Sequence, residues 1–200
     1  TQTVADYFNL ENPTALNVKA SHSSHGVLPV IRGLIADMIG PNAAMPIIDV
    51  RNGPEEMKFL KRNDLESLSE RGTASPDHVI RIKGRPLVLR KSVWEQGRSA
   101  IKEALKDYEI EYKAMFERQA PKAAQPKTIL PPDPKTIWME GVGLLGLGAN
   151  FKSASIAGDL VVQNARVRSV GEDAGGFNPI GEKDLFDCEY WSLEQAKLGK

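Results

Sequence analysis

The sequence TIWMEGVGLLGLGANF at residues 136–151 decides how this chain is expected to fold. It contains a literal G-x-G-x-x-G, formed by Gly141, Gly143 and Gly146. The apolar run at 136–140 is typical of a strand, and a helix with Asn150 as its N-cap is predicted at 150–168. Both a dinucleotide-binding loop and a tight turn, in which glycine only allows close packing, follow this order of strand, glycines and helix.

The sequence after the predicted helix does not complete a dinucleotide site. Such a site needs a second parallel strand that carries an acidic residue about 20 positions after the glycines. The chain continues instead into the polar sequence GEDAGGFNPIGEKD at 171–184, and Asp159 falls in the middle of the helix. We therefore interpret the three glycines as a structural strand-to-helix turn and predict no cofactor in this segment.

The rest of the chain alternates short apolar runs with amphipathic stretches. Further strands are predicted at 45–50, 78–82 and 86–89, and further helices at 24–39, 54–61, 65–70, 93–117 and 184–197. A capping box of Ser92 and Glu95 is predicted to begin the longest helix. This pattern favours an α/β fold, layered, with a small, mostly parallel sheet flanked by helices.

Three segments are expected along the chain. They are an irregular N-terminal segment at 1–22, an α/β domain at 23–182 with a Pro-rich connector at 119–135, and a C-terminal helix at 183–200. The chain begins with Thr1 and not with methionine, so we expect it to be a fragment of a longer protein.

The composition excludes several classes of function. The 26 basic and 26 acidic residues cancel, so the chain has no electrostatic reason to bind nucleic acid or an anionic membrane. A single cysteine, Cys188, favours a reducing compartment, and its acidic neighbours Asp187 and Glu189 raise the pKa of the thiol. No apolar run is long enough to cross a bilayer. We expect a cytoplasmic protein with neither nucleic acid nor membrane as partner.

The histidine pair His22-x-x-His25 has a spacing that could suggest a metal site. Structural zinc takes four protein ligands and catalytic zinc usually three, yet no Cys, Asp or Glu lies near the pair. We interpret the pair as a polar turn and predict no metal ligand in this chain.

The sequence RGTASPDHVIRIKGR at 71–85 holds the candidate site residues. Asp77 could orient the imidazole of His78 for acid–base catalysis. Four basic side chains could bind a phosphate or a carboxylate, namely Arg71, Arg81, Lys83 and Arg85. In a strand that begins at His78, Arg81 would point to the opposite face. The alternative, which we favour, is a packed strand entry in which Asp77 caps a turn and the basic side chains lie in water.

Three sequences together resemble one known family. They are RGTASPDHVIRIKGRPLVL, WMEGVGLLGLGANFKSASIAGD and DLFDCEYWSLEQAKLGK, and the resemblance covers about residues 24–200. The family comprises long bifunctional proteins with a class II aldolase/adducin-type region in front and a short-chain dehydrogenase behind, of the rhamnulose-phosphate aldolase/lactaldehyde or alcohol dehydrogenase type. The resemblance implies a middle segment of such a carbohydrate-metabolising lyase and oxidoreductase. It also implies that a divalent metal and NAD(P) bind only in the rest of the parent protein.

The chain departs from this family at its catalytic motifs. Class II aldolases bind their metal through three histidines, and the third lies in an N-H-G turn after a strand. The run Glu140-Gly141-Val142-Gly143 is similar to that turn, and Val142, which cannot ligate a metal, stands at the place of the histidine. The chain has no H-x-H run, no T-G-x-x-x-G-x-G turn and no tyrosine with a lysine four residues later. The resemblance therefore implies a degenerate class II aldolase-like unit.

Two functions remain open at this point. In the first, which we favour, the chain is a non-catalytic module that links the active regions, helps to form a homo-oligomer, or completes a neighbouring pocket with the Arg71–Arg85 cluster; its partners are the flanking domains. In the second, it is a small-molecule-binding or enzymatic domain that stands alone, and it uses Asp77, His78 and the basic residues on an anionic sugar such as a sugar phosphate.

Overall fold

The computed structural model describes residues 24–196 of the 200-residue chain. The predicted irregular segment at 1–22, including His22, and the side chain of His25 lie outside the described residues. Within 24–196, no helix is both long enough and apolar enough to cross a membrane.

Helices and short strands alternate along the described chain. The helices are α1 (Ser24–Ile39), α2 (Pro54–Phe59), α3 (Leu65–Glu70), α4 (Pro76–Ile82), α5 (Lys91–Trp94), α6 (Arg98–Gln119), α7 (Phe151–Asp173), α8 (Glu182–Glu189) and α9 (Ser192–Gln195), with a 3₁₀ turn at Ala120–Lys122. The strands are β1 (Ile47–Arg51), β2 (Leu87–Leu89), β3 (Thr136–Met139) and β4 (Gly143–Gly148).

The four strands form one sheet in the order β1-β4-β3-β2. The predicted α/β fold with a small sheet flanked by helices is confirmed, but the prediction of a mostly parallel sheet is wrong. Strand β4 is antiparallel to both β1 and β3, and β2 and β3 form the parallel pair. The reason is the short connection after β3: a few residues can join antiparallel strands, whereas parallel strands need a crossover of a dozen or more.

The glycine run forms a β-hairpin and its second strand, so the predicted strand-to-helix turn is wrong. Gly141 lies in the turn with a φ of 79°, a left-handed conformation that glycine adopts readily. Gly146 lies within β4, where it pairs with Asp49 on one side and Thr136 on the other. A Cβ atom at Gly146 would lie 2.3 Å from the backbone nitrogen of Gly158. The absence of a side chain therefore lets α7 lie directly on the sheet.

The segment predicted as a strand at 78–82 is helix α4. Ser75 is extended and Pro76 follows it as the first helical residue, where the fixed φ of proline suits a helix and its missing N–H is not needed. Asp77 then places a negative charge in the first turn, near the positive end of the helix dipole. These start signals override the strand preference of the β-branched residues that follow.

Three further boundaries differ from the predictions, and one cap is confirmed. The capping box of Ser92 and Glu95 does not form, because the chain breaks at Gly97, with a φ of 94°, between α5 and α6. Helix α7 continues past 168, and the single helix predicted at 184–197 is divided into α8 and α9. Asn150 caps α7 as predicted: its Oδ1 accepts a hydrogen bond from the Ser153 amide at 2.9 Å.

Apolar side chains cover both faces of the sheet. Ile137 and Met139 of β3 point into a core that includes α1 and α6, whereas Trp138 points into a second core with α7. This alternation follows from the two-residue period of a strand and produces a helix–sheet–helix sandwich. A smaller third cluster joins Tyr112 of α6 to Phe186 and Tyr190 near the end of α8.

Candidate functional site

A pocket of about 650 Å³ lies between α6 and α8, beside the first residues of β2. Its walls are largely apolar and include Pro86, Leu87, Tyr108, Met115, Leu185 and Phe186. A volume of this size and an apolar lining with a few polar groups are typical of small-molecule sites.

Two polar residues of the pocket, Tyr112 and Glu189, belong to a chain of hydrogen bonds. The Tyr112 hydroxyl donates to Oε1 of Glu189 at 2.6 Å and lies 2.7 Å from the Tyr190 hydroxyl. The Leu130 amide donates to the Tyr190 hydroxyl at 3.4 Å. Since each tyrosine has one hydroxyl proton, Tyr190 donates to Tyr112 when Tyr112 donates to the carboxylate. The chain of donors thus ends at Glu189.

Lys83 lies at the same end of the pocket. It follows α4 with a φ of 65°, which is uncommon for a residue other than glycine, and only 5% of its surface is exposed. Its Nζ donates to the Pro131 carbonyl at 2.5 Å and lies 3.6 Å from the centre of the Tyr112 ring. The left-handed turn thus directs the lysine inwards, towards α6 and the connector.

Burial controls the protonation of both Lys83 and Glu189. Removal from water lowers the pKa of Lys83 to about 8, although the carboxylates of Glu189 and Asp133 oppose this change. Burial also raises the pKa of Glu189, and the attraction of Lys83 only partly offsets that effect. In the described part of the chain, no carboxylate oxygen lies within 4.0 Å of the Lys83 nitrogen. Both shifts favour the uncharged forms.

The ionisable residues of the pocket are mostly acidic. Six acidic residues line it: Glu66, Glu70, Asp107, Glu111, Glu182 and Glu189. The basic residues are Arg71, Lys83 and Arg85. Arg71 pairs with Glu172 at 2.6 Å, and Arg85 pairs with Glu70 at 3.3 Å. Glu66 and Glu182 pair with Arg90 and Arg118, so the acidic excess rests on Glu70, Asp107 and Glu111. Because this excess remains and both arginines of the pocket already have carboxylate partners, the pocket favours uncharged ligands over phosphates.

The structure brings three of the four predicted basic residues together, because Arg71, Lys83 and Arg85 line one pocket. Arg81 is exposed on α4 and does not line it. The prediction that Arg81 faces away from His78 rested on a strand and therefore loses its basis in helix α4.

Asp77 and His78 lie in the first turn of α4 but do not act as a pair. His78 is buried, and its Nδ1 lies 2.7 Å from the Ser75 hydroxyl, whereas Asp77 is exposed. Burial, and then the positive charge of Arg168, lower the pKa of His78. Ser75, and not Asp77, contacts the imidazole, so the geometry of this segment does not match the candidate carboxylate–histidine arrangement, which was not the favoured interpretation of the sequence.

Arg168 links α7 to α3 and to the loop between α3 and α4 through hydrogen bonds. It is fully buried and donates hydrogen bonds to the carbonyls of Leu68 and Gly72. Its guanidinium lies 5.0 Å from the centre of the Trp138 ring, a cation–π contact. Burial lowers its pKa to about 9, so Arg168 remains a cation at neutral pH.

Sequence reasoning missed the network of Tyr112, Glu189 and Tyr190. Neither Tyr112 nor Tyr190 was among the predicted site residues, and Glu189 was predicted only as a neighbour of Cys188. A usable signal was present, since Glu189 lies three residues after Phe186 and so shares its helix face. An acidic residue on an apolar face is informative because burying it is costly.

The predicted direction of the pKa shift at Cys188 is confirmed. Burial raises the pKa of this thiol most, and Asp187 and Asp184 raise it further. An elevated thiol pKa leaves little reactive thiolate at neutral pH.

This chain is similar in sequence to known proteins. The family described as "Aldolase class II, second domain" matches residues 22–198, which is nearly the whole chain. The chain belongs to this family. One similar protein, the "Uncharacterized oxidoreductase YuxG" of Bacillus subtilis (strain 168), is 26% identical over 177 residues, which are 86% of this chain and 24% of the relative. This second-domain chain therefore spans about a quarter of the length of the relative. No solved structure shows a significant match.

The hairpin of this class II aldolase second domain holds a valine at its turn. Val142 is 6% exposed and packs in the core on the α1 and α6 side of the sheet. The backbone carbonyl of Glu140 accepts a hydrogen bond from the Trp94 indole at 2.9 Å, and its carboxylate accepts one from the Lys91 amide at 3.0 Å. Among residues 24–196, no group of three or more His, Cys, Asp or Glu residues is placed to hold a metal ion.

Proposed function

We propose that this chain is one module of a longer bifunctional sugar-phosphate aldolase/short-chain dehydrogenase. In that protein it is non-catalytic, and it links or completes the active regions. The family match supports the aldolase part of this proposal, and the name of the Bacillus subtilis relative supports an oxidoreductase part. The coverage of about a quarter of that relative supports a module within a longer chain.

The observation that carries this proposal is the buried side chain of Val142. In the resemblance to class II aldolases, this position corresponds to a metal-binding histidine, which must reach the metal. Here the side chain is buried among apolar residues, and both polar ends of Glu140 bond to α5. The turn therefore works as a joint between the sheet and α5, and the metal belongs to another part of the parent protein.

The same proposal implies where NAD(P) binds in the parent protein and which partners this module has. Hydride transfer in short-chain dehydrogenases needs a tyrosine with a lysine four residues later, and this sequence contains no such pair. NAD(P) therefore binds in another part of the parent, as does the divalent metal. The partners of this module are the flanking domains of the parent and further copies of the same protein in a homo-oligomer.

The geometry supports a separate anionic-sugar enzyme less well. Asp77 and His78 do not form a pair, and acidic residues outnumber basic ones around the pocket. Arg71 and Arg85 would also have to leave Glu172 and Glu70 before binding a phosphate. The binding free energy of a ligand that displaces an existing carboxylate is only the difference between the two interactions.

The test is to sequence the DNA on both sides of the coding segment and to assay the longer protein beside residues 1–200. We expect the flanking DNA to encode H-x-H and N-H-G upstream and T-G-x-x-x-G-x-G downstream. The longer protein should then cleave a sugar phosphate with a divalent metal and reduce NAD(P) with an alcohol, whereas residues 1–200 alone do neither. Metal-dependent turnover by the isolated chain, lost in folded His78→Asn, would refute the proposal. Lys106→Ala is the matched control, because this exposed side chain of α6 lies outside both the pocket and the candidate site.

A further inference from the structure

We propose that Lys83 forms a Schiff base with uncharged aldehydes that enter the pocket between α6 and α8. This inference goes beyond the proposed function, which gives the chain no chemistry of its own. It concerns residues within this chain alone, so it can be tested whether or not the chain belongs to a longer enzyme.

The position of Lys83 suits a nucleophile. Lys83 is one of the residues that line the pocket, and within the described residues it forms no ion pair that would hold its nitrogen as an ammonium. One N–H group donates to the Pro131 carbonyl, which fixes the nitrogen. An uncharged amine can make that bond and still keep its lone pair, which is the electron pair that attacks a carbonyl carbon.

Neighbouring groups from every adjacent element set the charge of Lys83. Glu189 at the end of α8 and Asp133 in the connector favour the ammonium, whereas Lys135 and burial disfavour it. The centre of the Tyr112 ring of α6 lies 3.6 Å from the nitrogen, a cation–π contact that also favours the ammonium. The Tyr112 hydroxyl stays protonated because burial raises its pKa. The outcome is a pKa of about 8. At pH 7.5 roughly a quarter of such side chains are uncharged, against about one in a thousand for an ordinary lysine.

Glu189 can supply the proton that this reaction needs. Lys83 Nζ attacks the aldehyde carbon, one proton passes from the nitrogen to the carbonyl oxygen, and a carbinolamine forms. The C–O bond then breaks and the hydroxyl leaves as water, with a proton from the Glu189 carboxyl, while the proton lost by nitrogen returns to the carboxylate. The net change is amine plus aldehyde to imine plus water, with no oxidation or reduction. Glu189 lines the same pocket as Lys83, and burial raises the pKa of its carboxyl, which favours the protonated acid.

The lining of the pocket selects the class of aldehyde. Apolar side chains such as Leu87, Met115 and Phe186 would contact the body of the ligand. Acidic residues of the pocket, including Glu111 and Asp107, would repel an anion. The expected ligand is therefore an aldehyde with an apolar or aromatic body and no phosphate or carboxylate.

Reductive trapping tests this inference on the 200-residue chain. Benzaldehyde and sodium cyanoborohydride are added at pH 7.5, and peptide mass spectrometry measures the benzyl adduct at each lysine. We expect Lys83 to react about ten-fold faster or more than an exposed lysine such as Lys106, with a rate that levels off above pH 8. A Lys83 rate no higher than that of Lys106, or one that still rises steeply at pH 10, would overturn the proposal.

Two variants and one second aldehyde control for folding and for pocket charge. Lys83→Arg, with an unchanged circular dichroism spectrum, should remove the fast-reacting site and leave the adducts at other lysines unaltered. For wild type, 4-carboxybenzaldehyde should react several-fold more slowly at Lys83 than benzaldehyde. Glu111→Lys changes an exposed side chain and should reduce that difference. Equal rates for both aldehydes in wild type would contradict the selection by charge, and Lys83→Arg that retains the fast adduct would contradict the site.

Discussion

Replacing Gly146 with alanine should destabilise the fold by about 3 kcal/mol, the upper end of the usual cost of overpacking. The added Cβ would lie 2.3 Å from the backbone nitrogen of Gly158 and 2.7 Å from the carbonyl oxygen of Ala154. Both atoms belong to the backbone of α7, so no side chain can rotate away. The clash can be relieved only if the helix moves away from β4.

The size of that movement sets the expected loss of stability. Ordinary Cβ contacts are 3.4 Å or longer, so the helix must retreat by about 1 Å. A gap of that size forfeits about a quarter to a half of the dispersion energy of each contact across the interface. Many contacts between α7 and β4 are affected at once. The loss is then a large share of a total stability that is typically about 5–15 kcal/mol.

Gly33→Ala is the matched control, because the same substitution should act in the opposite direction. Gly33 lies inside α1, and the nearest atom to a new Cβ is Nη1 of Arg98 at 3.8 Å. Alanine there should stabilise the chain by about 0.5–1 kcal/mol through helix propensity. Urea unfolding followed by circular dichroism measures both changes. A Gly146→Ala variant within 0.5 kcal/mol of wild type, about the usual scatter for surface substitutions, would refute the reasoning.

Three further predictions concern buried ionisable side chains. Arg168→Lys should lower the free energy of unfolding by about 2 kcal/mol, since an ammonium cannot hold both the Leu68 and Gly72 carbonyls; urea unfolding checks this. Between pH 8 and 10.5 the unfolded chain binds more protons at Lys83 than the folded chain, so the free energy of unfolding of wild type should rise by up to about 3 kcal/mol relative to Lys83→Met. Urea titrations of both proteins at both pH values measure this, and a difference that stays constant would contradict the burial effect. The pKa of His78 is lowered on folding, so its contribution to stability is lost as the pH falls below 6.5, and His78→Asn should lose less stability than wild type between pH 7 and 5.

Local signals predicted the long elements of this fold well. The apolar face of α1 and the capping residue Asn150 are encoded within a few residues, so a single segment contains enough information. The strand β1 is also bounded by its own turn residues. These elements need no knowledge of what packs against them.

The predictions failed where two local signals competed. At 78–82 the β-branched residues favoured a strand, but Ser75 and Pro76 start a helix. At Gly143–Gly148 a glycine-rich run with few side chains gave no strand pattern, and the pairing with β1 and β3 makes it a central strand. The order of that pairing depends on distant parts of the chain.

The polar end of the pocket could not be predicted as a unit. Lys83, Tyr112 and Glu189 are far apart in sequence and meet only because α6 and α8 pack together. The basic character of 71–85 was visible, but the acidic residues that surround it in space were not. The sequence therefore suggested an anion site, whereas the structure shows a pocket with more acidic than basic residues.

The arrangement of the sheet favours a ligand site at the amino end of β2, near Lys83. Ligands of open α/β sheets usually bind beyond the carboxyl ends of the parallel strands. Here β2 and β3 are the parallel pair, and the residues beyond their carboxyl ends bond to each other: Glu140 accepts from Lys91 and Trp94, and Val142 fills the core. The pocket opens instead beside Gly84–Leu87, at the amino end of β2. The chain itself thus fills the usual ligand-binding edge, whereas α6 and α8 leave a pocket at the opposite end of β2, and Lys83 is one of the residues that line it.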